Sequence, residues 1–140
     1  MKIKPCIIGL GYVGLPVILN LSKKFDCFGF DIDKKRVETL KKHIDVNKEF
    51  KKKDFYKKKL KFTFKFNEIK QCNFFIVCVP TLTSKNKKPD LQNLNNAIKI
   101  LSKIKKKNDI IFIESTIFPG LTKKYKNFIQ QKTNLIYNKD

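Results

Sequence analysis

Short apolar runs recur along this chain, and the longer segments between them carry apolar residues at helical spacing. The runs are rich in Ile, Val, Phe and Cys without polar alternation, and they lie at residues 6–8, 27–30, 74–79 and 110–113. Runs of this kind are typical of strands that are buried on both faces, as in a parallel sheet. The pattern therefore predicts a sheet with helices packed on both sides.

The clearest helical periodicity lies between residues 91 and 104. One stripe of this segment is apolar and consists of Leu91, Leu94, Ala97, Ile98, Leu101 and Ile104. Polar residues occupy the opposite face, as expected for a helix that covers a sheet. Asp90, directly after Pro89, stands at the N-cap position, and lysines follow the last turn, where the helix dipole favours cations.

The patterns together predict strands and helices that alternate along the chain. We expect strands near residues 3–8, 27–31, 60–66, 74–79 and 109–114, helices near 12–24, 34–42, 91–105 and 121–131, a lysine-rich helical segment near 48–58, a short helix before residue 74, and a last strand beginning near Leu135. This order predicts an α/β fold with a doubly wound parallel sheet and right-handed crossovers. Residues 61–66 alternate with period two, which predicts an edge strand with one solvated face.

A Gly-x-Gly-x-x-Gly motif follows the first predicted strand and opens the first helix. Gly9 would allow the tight turn, Gly11 would let the backbone approach a pyrophosphate, and Gly14 would let the helix pack against the strand. The residues expected to cradle the pyrophosphate are Gly9, Leu10, Gly11, Tyr12, Val13 and Gly14. An acidic residue, Asp31, ends the second strand twenty positions after Gly11, so we expect a dinucleotide rather than a glycine turn that binds nothing.

Asp31 is expected to accept hydrogen bonds from the adenosine ribose hydroxyls. Its carboxylate would repel the 2′-phosphate of NADP, so the sequence favours NAD, although Lys34, Lys35 and Arg36 soften that preference. Alternatively, Asp31 or Asp33 caps the following helix, and the two roles can coexist, with Asp33 capping and Asp31 binding. Arg36 could equally be a solvated helix residue.

The charge of the chain raises the question of a nucleic-acid partner. The sequence has 32 Lys and Arg against 12 Asp and Glu, a formal net charge of +20, and Arg36 is its only arginine. Because base readout relies on Arg, a lysine-covered solvated surface is favoured over a specific nucleic-acid interface. The densest basic patch, residues 51–53 and 57–59, lies in no RNA-binding aromatic motif or helix-turn-helix pattern.

Cysteine usage and hydropathy exclude several other classes. The four cysteines form no Cys-x-x-Cys and the chain has one histidine, so no metal site is expected. Unpaired cysteines inside apolar runs are typical of a reducing, cytoplasmic protein. No apolar run approaches the ~20 residues of a membrane span, and no secretory signal begins the chain, so no membrane partner is expected.

Five segments, in this order and spacing, resemble the UDP-glucose/GDP-mannose dehydrogenase family. They are Gly-Leu-Gly-Tyr-Val-Gly-Leu-Pro at 9–16, Gly-Phe-Asp-Ile-Asp with Arg-Val at 29–37, Val-Cys-Val-Pro-Thr at 77–81, Pro-Asp-Leu at 89–91 and Glu-Ser-Thr-Ile-Phe-Pro-Gly at 114–120. The resemblance covers essentially all 140 residues. It implies that residues 1–140 form the Rossmann-type NAD-binding domain of an enzyme that oxidises C6 of a nucleotide-bound sugar with two NAD.

Finer features of the sequence look more like the branch that acts on UDP-N-acetyl-hexosamines. These are Leu15-Pro16 after the third glycine, Ile44-Asp45 followed by Glu49, and Glu114 before Ser-Thr. The resemblance thus implies a UDP-sugar substrate, UDP-glucose or a UDP-N-acetyl-hexosamine, and a place in surface polysaccharide synthesis. It also implies a homodimer for the whole enzyme.

The resemblance implies roles for residues outside the glycine motif. Asp31 and Arg36 would hold the adenosine end, while Ser115 and Thr116 would lie by the nicotinamide, with Thr116 positioning a catalytic water. The residues expected to line the cofactor past the fourth strand are Val79, Pro80, Thr81 and Thr83. The alternative for Thr81, Thr83 and Ser115 is that they cap turns. Leu82 stands where the family usually has proline, and Phe118 where it has tyrosine.

The family's nucleophilic cysteine and a catalytic lysine belong to a later domain. The cysteines of this chain, Cys6, Cys27, Cys72 and Cys78, do not match the nucleophile's motif. We therefore expect a fragment truncated before the central helix and substrate domain, and inactive by itself. The alternatives are a stand-alone dinucleotide-binding module and another Rossmann dehydrogenase of the hydroxyacid type, which would not combine the Val-Pro-Thr and Glu-Ser-Thr-x-x-Pro-Gly segments.

Overall fold

Five parallel strands form the central sheet. A computed structural model describes residues 2–56, 59–83 and 89–136, without the side chain of Thr83. The strands are β1 (Pro5–Ile8), β2 (Cys27–Phe30), β3 (Leu60–Thr63), β4 (Phe74–Val77) and β7 (Ile110–Ile113). Their order is β3-β2-β1-β4-β7, and all neighbours pair in parallel. The predicted parallel sheet is confirmed.

Three of the four described α-helices lie between strands of this sheet, and the fourth follows β7. They are α1 (Gly14–Leu21), α2 (Lys34–Lys41), α3 (Gln92–Ile104) and α4 (Leu121–Thr133). Two 3-10 helices, Lys52–Phe55 and Phe66–Gln71, and a short antiparallel pair, β5 (Leu82–Thr83) with β6 (Pro89–Asp90), complete the described elements. The alternation of strands and helices agrees with the sequence prediction.

Several predicted boundaries are wrong, and local structure explains why. The predicted strand at 60–66 ends at Thr63, because a 3-10 helix begins at Phe66. The segment 48–58 is helical only over the four residues of a 3-10 helix, and residues 57–58 lie outside the described part. Leu91, and not Asp90, is the N-cap of α3, although the Asp90 carboxylate still accepts from the Gln92 N–H at 2.8 Å.

The last predicted strand is not found where it was expected. Residues 134–136 have no strand conformation, and residues 137–140 lie outside the described part of the chain. The edge of β7 has no strand partner among residues 2–56, 59–83 and 89–136. Ile110 and Phe112 on this strand are each about half exposed, at 50% and 51%.

Alternate residues of the sheet face two separate apolar layers. Cys6 and Ile8 of β1 pack in the layer that contains α3 and α4, whereas Ile7 packs in the layer that contains α1 and α2. Five of the six residues of the predicted α3 stripe are buried, with Leu94 and Leu101 at 0% exposure, while Leu91 is half-buried. The sheet is therefore covered on both faces at β1, as its uninterrupted apolar run predicted, but the same prediction is wrong for β7, where Ile110 and Phe112 are half exposed.

The strand order also decides where a ligand can bind. β1 lies at the centre, with β2 on one side and β4 on the other. After β1 the chain continues into α1 on one face of the sheet, and after β4 it continues toward α3 on the other face. Loops that diverge in this way open a crevice at the carboxyl ends of the strands. The edge position predicted for β3 is confirmed, and its Phe62 is buried while Lys61 is exposed.

Candidate functional site

A cavity of about 270 Å³ opens at the carboxyl ends of β1, β2 and β4. Six residues that the sequence singled out line it together: Gly9, Leu10, Gly11, Asp31, Val79 and Pro80. They come from three separate stretches of the chain. The fold therefore brings the glycine motif, the acidic residue after β2 and the loop after β4 to one place.

The three glycines of the motif meet different constraints. Gly9 has φ +93°, and a Cβ there would lie 3.0 Å from the Cys78 carbonyl oxygen. A Cβ at Gly14 would overlap the Gly9 carbonyl oxygen. A Cβ at Gly11 would meet nothing within 4 Å. The protein itself requires glycine at the first and third positions, while the second leaves open space where a pyrophosphate fits.

α1 begins three residues after Gly11, and its N-terminus has no side-chain cap. Val13 occupies the N-cap position and makes no side-chain hydrogen bond to the helix. The Tyr12 and Val13 side chains are largely exposed, at 68% and 50%, and neither lines the cavity. Free N–H groups and the helix dipole make such an end suited to an anion.

Asp31 holds the glycine turn with its carboxylate. Its Oδ2 accepts from the Leu10 N–H at 2.8 Å, and its Oδ1 accepts from the Asp33 N–H at 2.9 Å. A carboxylate has about four acceptor positions, so capacity remains for ribose hydroxyls. Asp33 caps α2, since its Oδ1 accepts from the N–H groups of Lys35 and Arg36. The capping role is confirmed, and the ribose contact stays a prediction.

The Arg36 side chain is only 9% exposed, so the alternative of a solvated helix residue is wrong. Its Nε donates to the Leu10 carbonyl oxygen at 2.9 Å, and its Nη1 pairs with Asp45 Oδ1 at 2.8 Å. Its Nη2 is buried and has no hydrogen-bond partner within the described residues. The adenosine contact implied for Arg36 stays a prediction.

Ser115 joins the loops that follow β4 and β7. Its hydroxyl lies 2.7 Å from the Val79 carbonyl oxygen, to which it donates, and its N–H donates to the Val77 carbonyl oxygen at 3.1 Å. Thr116 beside it is exposed. Ser115 therefore sets the spacing of the two loops, and its contact with the nicotinamide stays a prediction, as does that of Thr116.

The remaining predicted residues lie in the loop after β4. Pro80 is exposed and Thr81 is half-buried, and Thr81 does not line the cavity. Thr83 belongs to β5, and its side chain lies outside the described part of the chain. The cofactor contacts of these residues stay predictions.

Sequence reasoning missed the wall that α3 contributes to the cavity. Asn93, Asn96, Ala97 and Ile100 line it, and the Asn93 side-chain amide donates to the Pro80 carbonyl oxygen at 3.3 Å. One signal was available. Ile100 is an apolar residue outside the buried stripe of α3, which is typical of a helix that covers a second apolar surface.

The cysteines take no part in this site. All four are free and buried, and none lines the cavity. Burial raises the pKa of Cys27 to about 12 and that of Cys78 to about 11, which disfavours the thiolate at neutral pH. Within the described ranges, no group of His, Cys, Asp or Glu could hold a metal ion. No helix there has the length and apolarity to cross a membrane.

Known proteins share both the sequence and this architecture. The family model for the UDP-glucose/GDP-mannose dehydrogenase family, NAD binding domain, matches residues 1–139. UDP-N-acetyl-D-glucosamine 6-dehydrogenase from Salmonella typhi is 42% identical over 122 residues, which are 86% of this chain and 29% of that protein. UDP-N-acetyl-D-mannosamine dehydrogenase from Pyrococcus horikoshii is 35% identical over an alignment of 139 residues, and this alignment covers 92% of this chain and 32% of that protein.

A solved structure of the UDP-D-ManNAc dehydrogenase from Pyrococcus horikoshii superposes with a TM-score of 0.89 at 30% identity. The superposition covers 97% of this chain and 34% of that one. The chain thus spans about three tenths of the length of the curated relatives that it matches. On the family match over residues 1–139, the chain belongs to the UDP-glucose/GDP-mannose dehydrogenase family and corresponds to its NAD binding domain.

Proposed function

We propose that this chain is the NAD-binding part of a nucleotide-sugar 6-dehydrogenase that oxidises C6 of a UDP-N-acetyl-hexosamine to the carboxylate. The observation that carries the cofactor assignment is the open space over Gly11, which the protein's own packing does not explain. The sugar is suggested by the names of two relatives, a UDP-N-acetyl-D-glucosamine 6-dehydrogenase and a UDP-N-acetyl-D-mannosamine dehydrogenase. UDP-glucose is the other substrate to compare.

Different residues of the cavity would contact different parts of the cofactor. The turn at residues 9–14 and the uncapped start of α1 would hold the pyrophosphate. Asp31 would accept from the adenosine ribose, and Ala97 and Ile100 would form an apolar wall for the adenine. When bound, NAD supplies the hydride acceptor for oxidation of C6. The carboxylate of Asp31 disfavours the extra phosphate of NADP.

Thr116 is the residue of this chain proposed to act near the reacting atoms. It follows β7 at the same edge of the sheet as the glycine turn, beside Ser115, which is tethered to the loop after β4. The side chain is exposed. In the proposal its hydroxyl orients a water beside the nicotinamide. Since every cysteine here is buried away from the cavity, the nucleophilic thiol and the sugar site are assigned to a later domain.

The proposal extends to the setting of the whole protein. We place it in the cytoplasm, because four free cysteines without a disulfide are typical of a reducing compartment. Assembly as a homodimer follows from the resemblance to the family. The product would serve the synthesis of a surface polysaccharide.

Two titrations test the cofactor assignment. Calorimetry of the chain with NADH and with NADPH should give binding of NADH and weaker binding of NADPH. Absence of NADH binding by folded chain contradicts the assignment.

The substrate is tested on the whole protein that contains this chain. The protein is incubated with NAD and, separately, UDP-N-acetyl-glucosamine, UDP-N-acetyl-mannosamine or UDP-glucose, while NADH is followed by absorbance. We expect two NADH for each sugar oxidised, with an N-acetyl-hexosamine preferred. Oxidation of UDP-glucose alone contradicts the proposed substrate and leaves the cofactor assignment intact.

A further inference from the structure

Leu10, at the centre of the glycine turn, has both of its backbone polar groups held by side chains. Asp31 Oδ2 accepts from the Leu10 N–H at 2.8 Å. The Arg36 Nε donates to the Leu10 carbonyl oxygen at 2.9 Å. The Leu10 side chain is fully buried, so the residue has little freedom to turn. The two peptide planes on either side of Leu10 are therefore fixed in orientation.

The second of these planes carries the N–H of Gly11, a residue that lines the cavity. A trans peptide points its C=O and its N–H in opposite directions, and no peptide bond in the described residues is cis. The Leu10 carbonyl and the Gly11 N–H belong to the same plane. By holding that carbonyl, Arg36 directs the Gly11 N–H away from α2. This N–H donates to no oxygen among the described residues.

Asp45, in the loop after α2, holds Arg36 in this position. Its side chain is fully buried, and its Oδ1 accepts from Arg36 Nη1 at 2.8 Å. The same carboxylate also organises its own loop. Oδ1 accepts from the Asn47 N–H at 3.2 Å, and Oδ2 accepts from the N–H groups of Glu49 and Phe50 at 3.0 and 3.2 Å.

The burial of this pair explains why Asp45 matters for the turn. A guanidinium that is 9% exposed is stable there only with an opposite charge or enough acceptors, and one of its nitrogens, Nη2, already lacks a partner. Without the Asp45 carboxylate, the buried Arg36 guanidinium has a lower free energy when it moves toward water. It then releases the Leu10 carbonyl, and the Leu10–Gly11 peptide plane becomes free to rotate.

We propose that Asp45 is a positioning residue of the cofactor site. Through Arg36 and the Leu10 carbonyl it fixes the Gly11 N–H toward a pyrophosphate oxygen of the dinucleotide. The proposal rests on the cofactor site of the proposed function, and it assigns a role to a residue about 14 positions after Asp31 that does not line the cavity.

The test compares ligands with and without phosphates. Asp45→Asn removes the negative charge that faces Arg36, and with its amide oxygen kept at the Glu49 and Phe50 N–H groups its NH₂ group faces Arg36 Nη1, to which it cannot accept. We expect affinity for NADH and for ADP to fall on the order of tenfold. Affinity for adenosine, measured by NMR titration, should stay within a factor of about two, because adenosine has no phosphate that the Gly11 N–H could bind.

A second variant guards against a folding defect. The double variant Arg36→Met, Asp45→Asn removes both charges of the buried pair, so no unpaired buried charge remains. It should lose affinity for NADH and ADP as Asp45→Asn does, and a loss of adenosine affinity that is confined to this double variant belongs to the separate adenosine contact implied for Arg36. In both variants without ligand, the amide signal of Gly11 should shift, because its peptide plane is no longer held through the Leu10 carbonyl oxygen, while the Leu10 N–H stays bonded to Asp31.

Two controls separate positioning from general stability. Glu38→Gln removes an exposed ion pair with Lys41 on the same helix, and should change neither the affinities nor the Gly11 amide signal. Ile104→Val opens a small cavity in the core at the far end of α3, and should lower stability without selective loss of NADH.

The outcomes are distinct. Equal loss of NADH and adenosine binding, or no loss of either, in folded Asp45→Asn overturns the positioning role while wild-type binding of NADH upholds the cofactor site. A wild-type chain that binds neither NADH nor ADP contradicts the cofactor site and the positioning role together.

Discussion

Gly11→Val separates the needs of the ligand from the needs of the fold. Gly11 lies outside the positive-φ glycines, which are Gly9 and Gly120, and a Cβ at Gly11 meets no atom within 4 Å. Gly11 is exposed, and substitutions at exposed positions without specific contacts usually change stability by about 0.5 kcal/mol or less. The added side chain instead fills the space proposed for the pyrophosphate. We expect at least a ~100-fold loss of NADH affinity, about 2.7 kcal/mol.

Gly14→Ala supplies the matched comparison three residues away. Its Cβ would overlap the Gly9 carbonyl oxygen, so the turn or the start of α1 must shift. Overpacking of this kind costs about 1–3 kcal/mol. We therefore expect Gly14→Ala to lower the midpoint of thermal unfolding clearly and Gly11→Val to leave it almost unchanged.

The assay is a pair of measurements on each variant, thermal unfolding by circular dichroism and NADH binding by calorimetry. A folded Gly11→Val chain that binds NADH as well as wild type would refute the placement of the pyrophosphate. A Gly11→Val chain as unstable as Gly14→Ala would show instead that the protein needs the second glycine for its own packing.

Three further predictions concern single groups. Asp31→Ala should weaken NADH binding and narrow the preference for NADH over NADPH. If the substitution leaves the affinity for each of the two ligands unchanged, Asp31 does not select between NADH and NADPH. Burial would raise the pKa of Asp45, but the hydrogen bonds from Arg36 and three backbone N–H groups outweigh it and hold the pKa below its usual 3.8. The stabilisation is therefore complete above about pH 4 and is lost as acid protonates the carboxylate, so acid titration of Asp45→Asn should show a shallower fall in stability. Iodoacetamide should leave Cys27 unlabelled in the folded chain at neutral pH, because the thiol is buried and burial raises its pKa to about 12, and labelling of Cys27 under native conditions, detected by mass spectrometry, would contradict this.

The sheet could be predicted from sequence because its signal is local. Uninterrupted apolar runs reported strands buried on both faces, and β1 indeed divides its side chains between two apolar layers. The glycine motif and Asp31 could be placed together because both follow strands at the same edge of the sheet. Strand ends were less accurate, because the 3-10 helix that begins at Phe66 depends on turn conformation that the apolar pattern does not encode.

The tertiary features of the site could not be predicted in the same way. The single arginine of the chain was noticed as unusual, but its partner Asp45 lies nine residues further on, in a loop with no periodic pattern. The α3 wall was missed because a polar helix face looks the same whether it meets water or a cavity. Only the strand order brings Asn93 and Ile100 beside the glycine turn.

Residue-resolved NMR titration of the chain with NAD tests the cofactor site most directly. The amide signals of Gly11 and Ile32 should shift in a saturable way, since both residues line the cavity at the carboxyl edge of the sheet. Signals from the opposite edge, such as Lys59 and Leu60, should not move. Saturable shifts at Gly11 and Ile32 are the predicted result, and shifts confined to other surfaces, or none at saturating NAD, would contradict the site.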